Sequence, residues 1–134
     1  MYLLDTNTCI FIINNRPPKA REKFATIELT EMAMSSITLF ELDSAFRKGS
    51  KAAENLARLE QFISLVQVVP FDAIAAQKAG ELRQHLREQG TPVGDLDNLI
   101  AGHALSLGAT VVTNNLREFG RVPGLGLEDW LSDL

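Results

Sequence analysis

Apolar residues recur along the chain as short runs set between longer stretches with helical spacing. Tyr2-Leu3-Leu4, Met32-Ala33-Met34-Ser35, Gln67-Val68-Val69 and Thr110-Val111-Val112-Thr113 are brief, largely apolar runs bounded by polar or turn residues, as buried strands are. A fifth short strand is expected near Leu125. Between the strands, a helix is expected from a cap at Thr6 or Asn7 through Ile13, and Pro18 opens a second one to about Ala25. Ser36 is expected to cap a helix carrying Leu39, Leu42, Ala45 and Phe46 on one face, and Lys51 to Leu65 repeats the spacing. Asp72 should cap a long helix to about Glu88. After a Gly90–Gly94 loop, a helix from about Asp95 to Leu107 is expected, with Asp95 as N-cap and Gly108 as left-handed C-cap. A short helical turn holds Arg117-Glu118-Phe119. Strands that alternate with helices need crossover connections. The expected fold is therefore α/β, one domain over residues 1–134, with a central parallel sheet of four to five strands flanked by helices on both sides. In such open sheets, sites form at the carboxyl ends of the strands.

Composition supports a single packed domain: 134 residues, 46% of them hydrophobic, are enough for a real core. The one cysteine, Cys9, lies in an apolar run and reads as a small buried residue, consistent with a reducing compartment. The N-terminus has no basic leader, and the most apolar stretch, Phe62 to Phe71, is broken by Ser64, Gln67 and Pro70. A cytoplasmic protein without membrane association is expected. The formal net charge of −4 argues against holding nucleic acid by bulk charge. The charge is uneven, however: residues 1–58 carry a net +1 and residues 59–134 a net −5. Cations cluster at Arg16, Lys19, Arg21 and Lys23 and at Arg47, Lys48 and Lys51, either as solvated helix surfaces or as strips that meet phosphate.

Four polar side chains stand where apolar ones would suit the pattern. Asp5 ends the first strand and could simply cap the next helix. Glu41 shares a stripe with Ile37 and Ala45, whereas Asp43 has Arg47 at i+4 and reads as an exposed pair. Asp97 shares a stripe with Ile100, Ala101 and Ala104, although the first turn of a helix also favours an acid. Asn115 follows the fourth strand, where turn residues are common. Taken together they place three acids and an amide at one sheet edge, with no Lys or Arg beside the acids in sequence. Two carboxylates about 4 Å apart repel by roughly 4 kcal/mol at an effective dielectric of 20. Such a cluster must protonate or bind a cation. Oxygen-only ligands favour Mg²⁺ or Mn²⁺ over Zn²⁺, and such a site suits phosphoryl chemistry. His103 lies on an apolar stripe and reads as a hydrogen-bonded core histidine; His85 sits in a polar stretch. No zinc-ligand spacing, nucleophile elbow or phosphate-binding glycine loop is present.

Four segments in order, Leu3-Leu4-Asp5-Thr6-Asn7, Ser36 to Leu42, Gly94 to Ala104 and Thr113 to Phe119, resemble the motifs of the PIN-domain ribonucleases. From residue 2 to about 130 the chain resembles the VapC toxins of VapBC (type II) toxin–antitoxin pairs. The resemblance implies that Asp5, Glu41 and Asp97 are the main acidic positions of a metal site. Asn115 then holds a fourth position that is Asp in many relatives. It implies Asp5 and Asp97 as ligands of Mg²⁺ (or Mn²⁺), with Glu41 and Asn115 orienting water and all four counted as catalytic. Thr6, Asn7 and Thr113 match supporting polar positions, and Asp95 is an outer assistant. The implied activity is Mg²⁺-dependent endoribonucleolytic hydrolysis of phosphodiester bonds in structured RNA, with tRNA, and initiator tRNA in its anticodon region, as the suggested substrate. The implied partners are a VapB-type antitoxin that neutralises the toxin, a second copy in a homodimer, and a higher hetero-oligomer with the antitoxin.

Other readings of the acids exist. A dehalogenase-like Mg²⁺ phosphatase needs a second Asp two residues after the first, where Asn7 stands. A phosphoacceptor receiver domain needs a Lys after a late strand, and Thr110 to Phe119 contains none. A non-catalytic module could use the same acids to bind a basic peptide. Assigning Asp5, Glu41 and Asp97 to a divalent ion changes the meaning of the negative charge, since part of it then belongs to the metal site.

Overall fold

A computed structural model describes residues 1–131 of the chain. The strands are β1 (Tyr2–Leu4), β2 (Met32–Ser35), β3 (Gln67–Val69), β4 (Thr110–Val112) and β5 (Gly126–Glu128). They form one five-stranded sheet in the order β3-β2-β1-β4-β5, and every pairing is parallel. The helices are α1 (Thr6–Asn14), α2 (Pro18–Thr26), α3 (Ser36–Phe46), α4 (Ala52–Ile63), α5 (Ala73–Glu88), α6 (Asp95–Leu107) and α7 (Leu116–Phe119), with a 3₁₀ turn at Leu29–Glu31. The expected α/β architecture is thus present, with the fifth strand beginning just past Leu125.

Two cores sit on opposite faces of the sheet because strand side chains alternate. Leu4, Met32, Met34 and Val112 pack with Cys9, Ile12, Leu42, Phe46, Leu59, Phe62 and Trp130 from α1, α3, α4 and the C-terminal segment. Leu3, Ala33 and Val111 pack on the other face with Leu82, Leu86, Ile100, Ala101, Ala104 and Phe119. Cys9 is fully buried, as its apolar neighbours suggested. Among the described residues, no helix is long and apolar enough to cross a membrane.

Three helix starts differ from expectation, each by one or two residues. Asp5, not Thr6 or Asn7, caps α1, its Oδ1 accepting from Thr8 N at 2.9 Å. Ser35, not Ser36, caps α3 through a bond from Ile37 N. Ser36 Oγ instead accepts from Phe71 N at 2.9 Å, tying the start of α3 to the segment after β3. Gly94 precedes α6 with no side-chain cap, so Asp95 is the first helical residue. At the other end of α6, Gly108 adopts φ 64°, the left-handed conformation anticipated for it.

α5 and α6 form the closest helix pair on the second face. A Cβ placed on Gly102 would lie 2.5 Å from Ala79 Cα, so only glycine lets the two backbones approach this far. Beside that contact, Asn98 Nδ2 donates to Ala79 O at 2.9 Å. His103 is buried, as its stripe implied, and its Nδ1 lies 2.9 Å from Ser35 Oγ. Ser35 Oγ also accepts from Ile37 N, so one hydroxyl joins the cap of α3 to the buried imidazole of α6.

Candidate active site

β1 is the central strand, with β2 and β4 on its two sides, so the chain order reverses across it. Open α/β sheets leave a crevice at such a point, at the carboxyl ends of the strands. Asp5 stands there, immediately after Leu4. Its backbone N donates to Val112 O at 3.0 Å, so it continues the sheet register while its carboxyl caps α1. The capping and functional readings of Asp5 are therefore compatible. One oxygen is fixed by Thr8 N, and a further side-chain bond comes from Thr113, directly after β4. Asp5 is only 5% exposed, and burial raises its pKa above the ordinary carboxylate value despite the opposing hydrogen bonds from Thr113 and Thr8.

Glu41 reaches the same place from α3. Thr6 Oγ1 donates to Glu41 Oε1 at 2.6 Å, joining the first turn of α1 to the middle of α3. Asp97 comes from the first turn of α6 and Asn115 from the start of α7; Asn115 Nδ2 lies 3.5 Å from Asp97 Oδ2, at the long limit of a hydrogen bond. Asn115 N also donates to Thr113 Oγ1 at 2.9 Å, so one threonine orients both Asp5 and the Asn115 backbone. The structure thus brings Asp5, Glu41, Asp97 and Asn115 together with Thr6 and Thr113. Asn7 and Asp95 do not join them. Asn7 is exposed on α1 and makes no side-chain hydrogen bond among the described residues. The Asp95 side chain is 83% exposed and lies 3.6 Å from Arg83 of α5, on the other side of α6 from Asp97. One helical residue separates neighbours by about 100°, which is why Asp95 and Asp97 face different partners.

The electrostatics are those of unbalanced negative charge. None of Asp5, Glu41 and Asp97 pairs with a Lys or Arg of the described residues. The Asp97 pKa is pushed up to about 6, first by burial and then by repulsion from Asp5, Glu118 and Glu41. Glu118 is a member of the site that sequence reasoning missed. It stands one helical turn after Asn115 on α7, and that i+3 spacing was the available signal. Its Oε2 is held by Arg121 Nη1 at 3.2 Å, and the same guanidinium nitrogen donates to Pro92 O at 2.8 Å.

The donor set offers carboxylate, hydroxyl and amide oxygens and no thiolate or imidazole. No three of the described His, Cys, Asp and Glu side chains close into a ready-made metal cage. That arrangement suits Mg²⁺, which keeps several waters and takes one or two protein carboxylates, better than a metal that needs a full cage. The residues present therefore fit a divalent cation of that kind.

The cationic clusters do not ring the carboxylates. Arg16 lies beyond the far end of α1, about 15 Å along the helix from Asp5 at 1.5 Å per residue. Arg47 is about 9 Å along α3 from Glu41 by the same measure, and it pairs with Asp43. Lys23 pairs with Glu128 at 3.8 Å, and Arg21 Nη1 donates to Ile12 O at 3.0 Å. Lys48 and Lys51 are exposed between α3 and α4, and Lys19 is half-buried on α2. Two further cations pair with acids close to Asp97 in sequence or charge: Arg83 with Asp95 and Arg121 with Glu118.

Thr6→Val removes the donor to Glu41 while keeping the shape of the side chain. A supporting bond of this kind is worth 10- to 100-fold in activity or metal affinity. A rate loss in that range with an unchanged unfolding midpoint is expected. An unaltered rate would show that Glu41 does not need this bond.

A PIN-domain family profile matches residues 2–125. The chain is 50% identical over 129 residues to the tRNA(fMet)-specific endonuclease VapC of Salmonella typhimurium, covering 96% of this chain and 97% of that protein. It is 39% identical over 131 residues to Ribonuclease VapC2 of Rickettsia felis, covering 97% of this chain and 98% of the relative. Its fold superposes on the crystal structure of DNA-bound VapBC from Salmonella typhimurium with a TM-score of 0.91 at 50% identity, over 96% of this chain and 97% of that one.

Proposed function

The chain belongs to the PIN-domain family, and within it to the VapC ribonucleases, and from that premise we propose that it is a Mg²⁺-dependent endoribonuclease toxin that cuts initiator tRNA and is neutralised by a cognate VapB-type antitoxin. The observation that carries the reading is the convergence of Asp5, Glu41 and Asp97 from three separate elements at one sheet edge without a compensating cation. The substrate follows the relative named as tRNA(fMet)-specific, at half identity over nearly the whole chain.

Asp5 and Asp97 are the residues that would hold the cation. When bound, a divalent ion acts as a Lewis acid toward a phosphoryl oxygen and lowers the pKa of coordinated water. Glu41, its Oε1 fixed by Thr6, is a carboxylate positioned to orient the attacking water and accept its proton. Asn115 presents a neutral amide to Asp97 Oδ2, which adds a donor without adding charge. Thr113 and Thr8 hold the Asp5 carboxyl in one orientation. Water attack on phosphorus leaves a 5′-phosphate and a 3′-hydroxyl, and the 2′-hydroxyl of the substrate plays no chemical part.

Partner binding has support in the surface. Phe40 beside Glu41, Leu96 beside Asp97 and Leu116 beside Asn115 are exposed apolar side chains next to site residues. They give the antitoxin, or a second copy of the chain in a homodimer, apolar surface around the acidic crevice.

The test is cleavage of purified initiator tRNA with Mg²⁺, with EDTA, and with a single 2′-deoxy sugar at the cut position. Cleavage is expected with Mg²⁺, none with EDTA, and the deoxy substrate should still be cut. Loss of cutting on the deoxy substrate, with binding retained, would overturn the hydrolytic mechanism in favour of attack by the 2′-hydroxyl.

A further inference from the structure

A cavity of about 350 Å³ opens between α5 and α6, next to the carboxylates but separate from them. Its size is at the lower end of small-ligand sites, roughly 300–1,000 Å³. Phe71, Arg83, Asp95, Asn98 and Leu99 are among its walls. Asp95 and Asn98 flank Asp97 within the first turn of α6, so the cavity begins one helix face away from the reacting centre.

Each polar wall residue has unused hydrogen-bonding capacity. Asn98 is 5% exposed, and its Nδ2 is committed to Ala79 O, while its Oδ1 accepts from no described group. That oxygen is not among the buried polar atoms left without a partner, so it stays open to water or to a ligand donor. The Arg83–Asp95 approach of 3.6 Å is too long for a hydrogen bond, so the guanidinium fork and the carboxylate each keep their capacity for a third group. Phe71 contributes a ring whose contact with His103 is edge-on, with centroids 5.3 Å apart.

We propose that this cavity is a base-reading subsite for the RNA of the proposed function, and that it takes one unpaired guanine near the cut. Proteins read RNA sequence by splaying unpaired bases onto aromatic or guanidinium planes and bonding their edges. The wall pairs donors at Arg83 with acceptors at Asp95 and Asn98 Oδ1. Guanine matches both, presenting O6 and N7 to an arginine fork and N1–H and N2–H₂ to acceptors. Cytosine offers acceptors with only one donor group, and adenine lacks the adjacent acceptor pair. The role separates Asp95 from Asp97: Asp97 holds the cation, and Asp95 helps select the sequence.

The inference rests on the RNA reading, so its test has two arms. In the first, the amides of the full chain are followed by NMR during titration with guanosine 5′-monophosphate or adenosine 5′-monophosphate. The Asn98 side-chain amide and Arg83 Nε should shift with the guanine nucleotide and stay in place with the adenine one. In the second, initiator tRNA is cut by the wild type, Arg83→Ala and Phe71→Leu. KM should rise about tenfold or more in both variants, with the loss on KM rather than kcat, and Arg83→Lys should not restore it because the fork is gone. Replacing one unpaired guanine near the cut with 7-deazaguanine should raise KM for the wild type and leave Arg83→Ala unaffected, whereas inosine, which lacks the N2 amino group that Asp95 and Asn98 bind, should raise KM for both. Equal shifts with both nucleotides, or a wild-type KM and base preference in Arg83→Ala with an unchanged unfolding midpoint, would overturn the subsite. Guanine-specific shifts without any tRNA cleavage would retain the subsite and overturn the ribonuclease reading instead.

Discussion

Asp97→Asn lowers RNA cleavage by about 10³-fold or more and, without divalent metal at pH 7.5, makes the protein more stable. The activity loss follows from removing one of two carboxylates assigned to the cation. A bound ion contributes several kcal/mol to the transition state, and about 1.4 kcal/mol is a factor of ten. The stability gain follows from the electrostatics. Folding raises the Asp97 pKa from 3.8 to about 6, so the folded state holds that proton where the unfolded chain has lost it. An acid shifted upward stabilises the fold relative to its ionised form only while it stays protonated. That advantage is complete below pH 4, falls away between about pH 4 and 6, and is gone above. At pH 7.5 the ionised carboxylate is therefore a net destabilising group, and Asn relieves it. The full shift corresponds to about 3 kcal/mol, and the partial exposure of Asp97 reduces this to about 1–2 kcal/mol, or roughly 5 °C in melting temperature. Calorimetry at pH 7.5 in EDTA should show the higher midpoint for Asp97→Asn, and repeating it at pH 4 should bring the two proteins together. Adding Mg²⁺ should raise the midpoint of the wild type more than that of the variant, since ligand binding to the folded state stabilises it. A variant less stable than the wild type in EDTA at pH 7.5 would contradict the repulsion described here.

Gly102→Ala has the second largest expected effect, and it acts through the fold. The added Cβ would stand 2.5 Å from Ala79 Cα, 2.7 Å from Ala79 Cβ and 2.8 Å from Ala79 N. Two of those three atoms are backbone, so no rotamer change relieves the contact and α5 must move away from α6. Overpacking of this severity costs about 3 kcal/mol, near the upper end of its usual range and roughly 10 °C in melting temperature at this chain length. Helix propensity alone would favour Ala by about 1 kcal/mol, so the sign of the measured change decides between local propensity and packing. Ala79→Gly in the same chain should rescue little, because the nearest atom is the Ala79 Cα and remains. The displacement also strains the Asn98–Ala79 bond, whose asparagine directly follows Asp97. Cleavage should therefore fall at temperatures where the variant is still folded. Urea unfolding and cleavage rates measured on one preparation check both claims.

Much of the site was legible residue by residue. Asp5, Glu41, Asp97 and Asn115 were visible because each broke an apolar stripe or ended a buried run, and the structure brings all four to one sheet edge. Glu118 was not visible, because an acid in a short exposed turn beside Arg117 looks like any solvated helix end. Asn7 was put forward by the motif alone; it is exposed and makes no side-chain hydrogen bond among the described residues. Asp95 fared similarly: two residues before Asp97 in sequence, it faces Arg83 instead. Nor could the sequence place the basic strips relative to the carboxylates. Charge density along the chain carries no information on which end of a helix faces the crevice.

What this sequence determined by itself is the alternation of strand and helix, and hence a parallel sheet whose carboxyl edge collects the acids. Those features depend on local periodicity and on the rule that parallel strands need crossovers, and both can be read in one dimension. Only the tertiary structure decided the strand order β3-β2-β1-β4-β5, the α5–α6 approach at Gly102 and the split of Asp95 from Asp97. These depend on which surfaces meet, and close packing selects among arrangements that local propensity leaves equally acceptable.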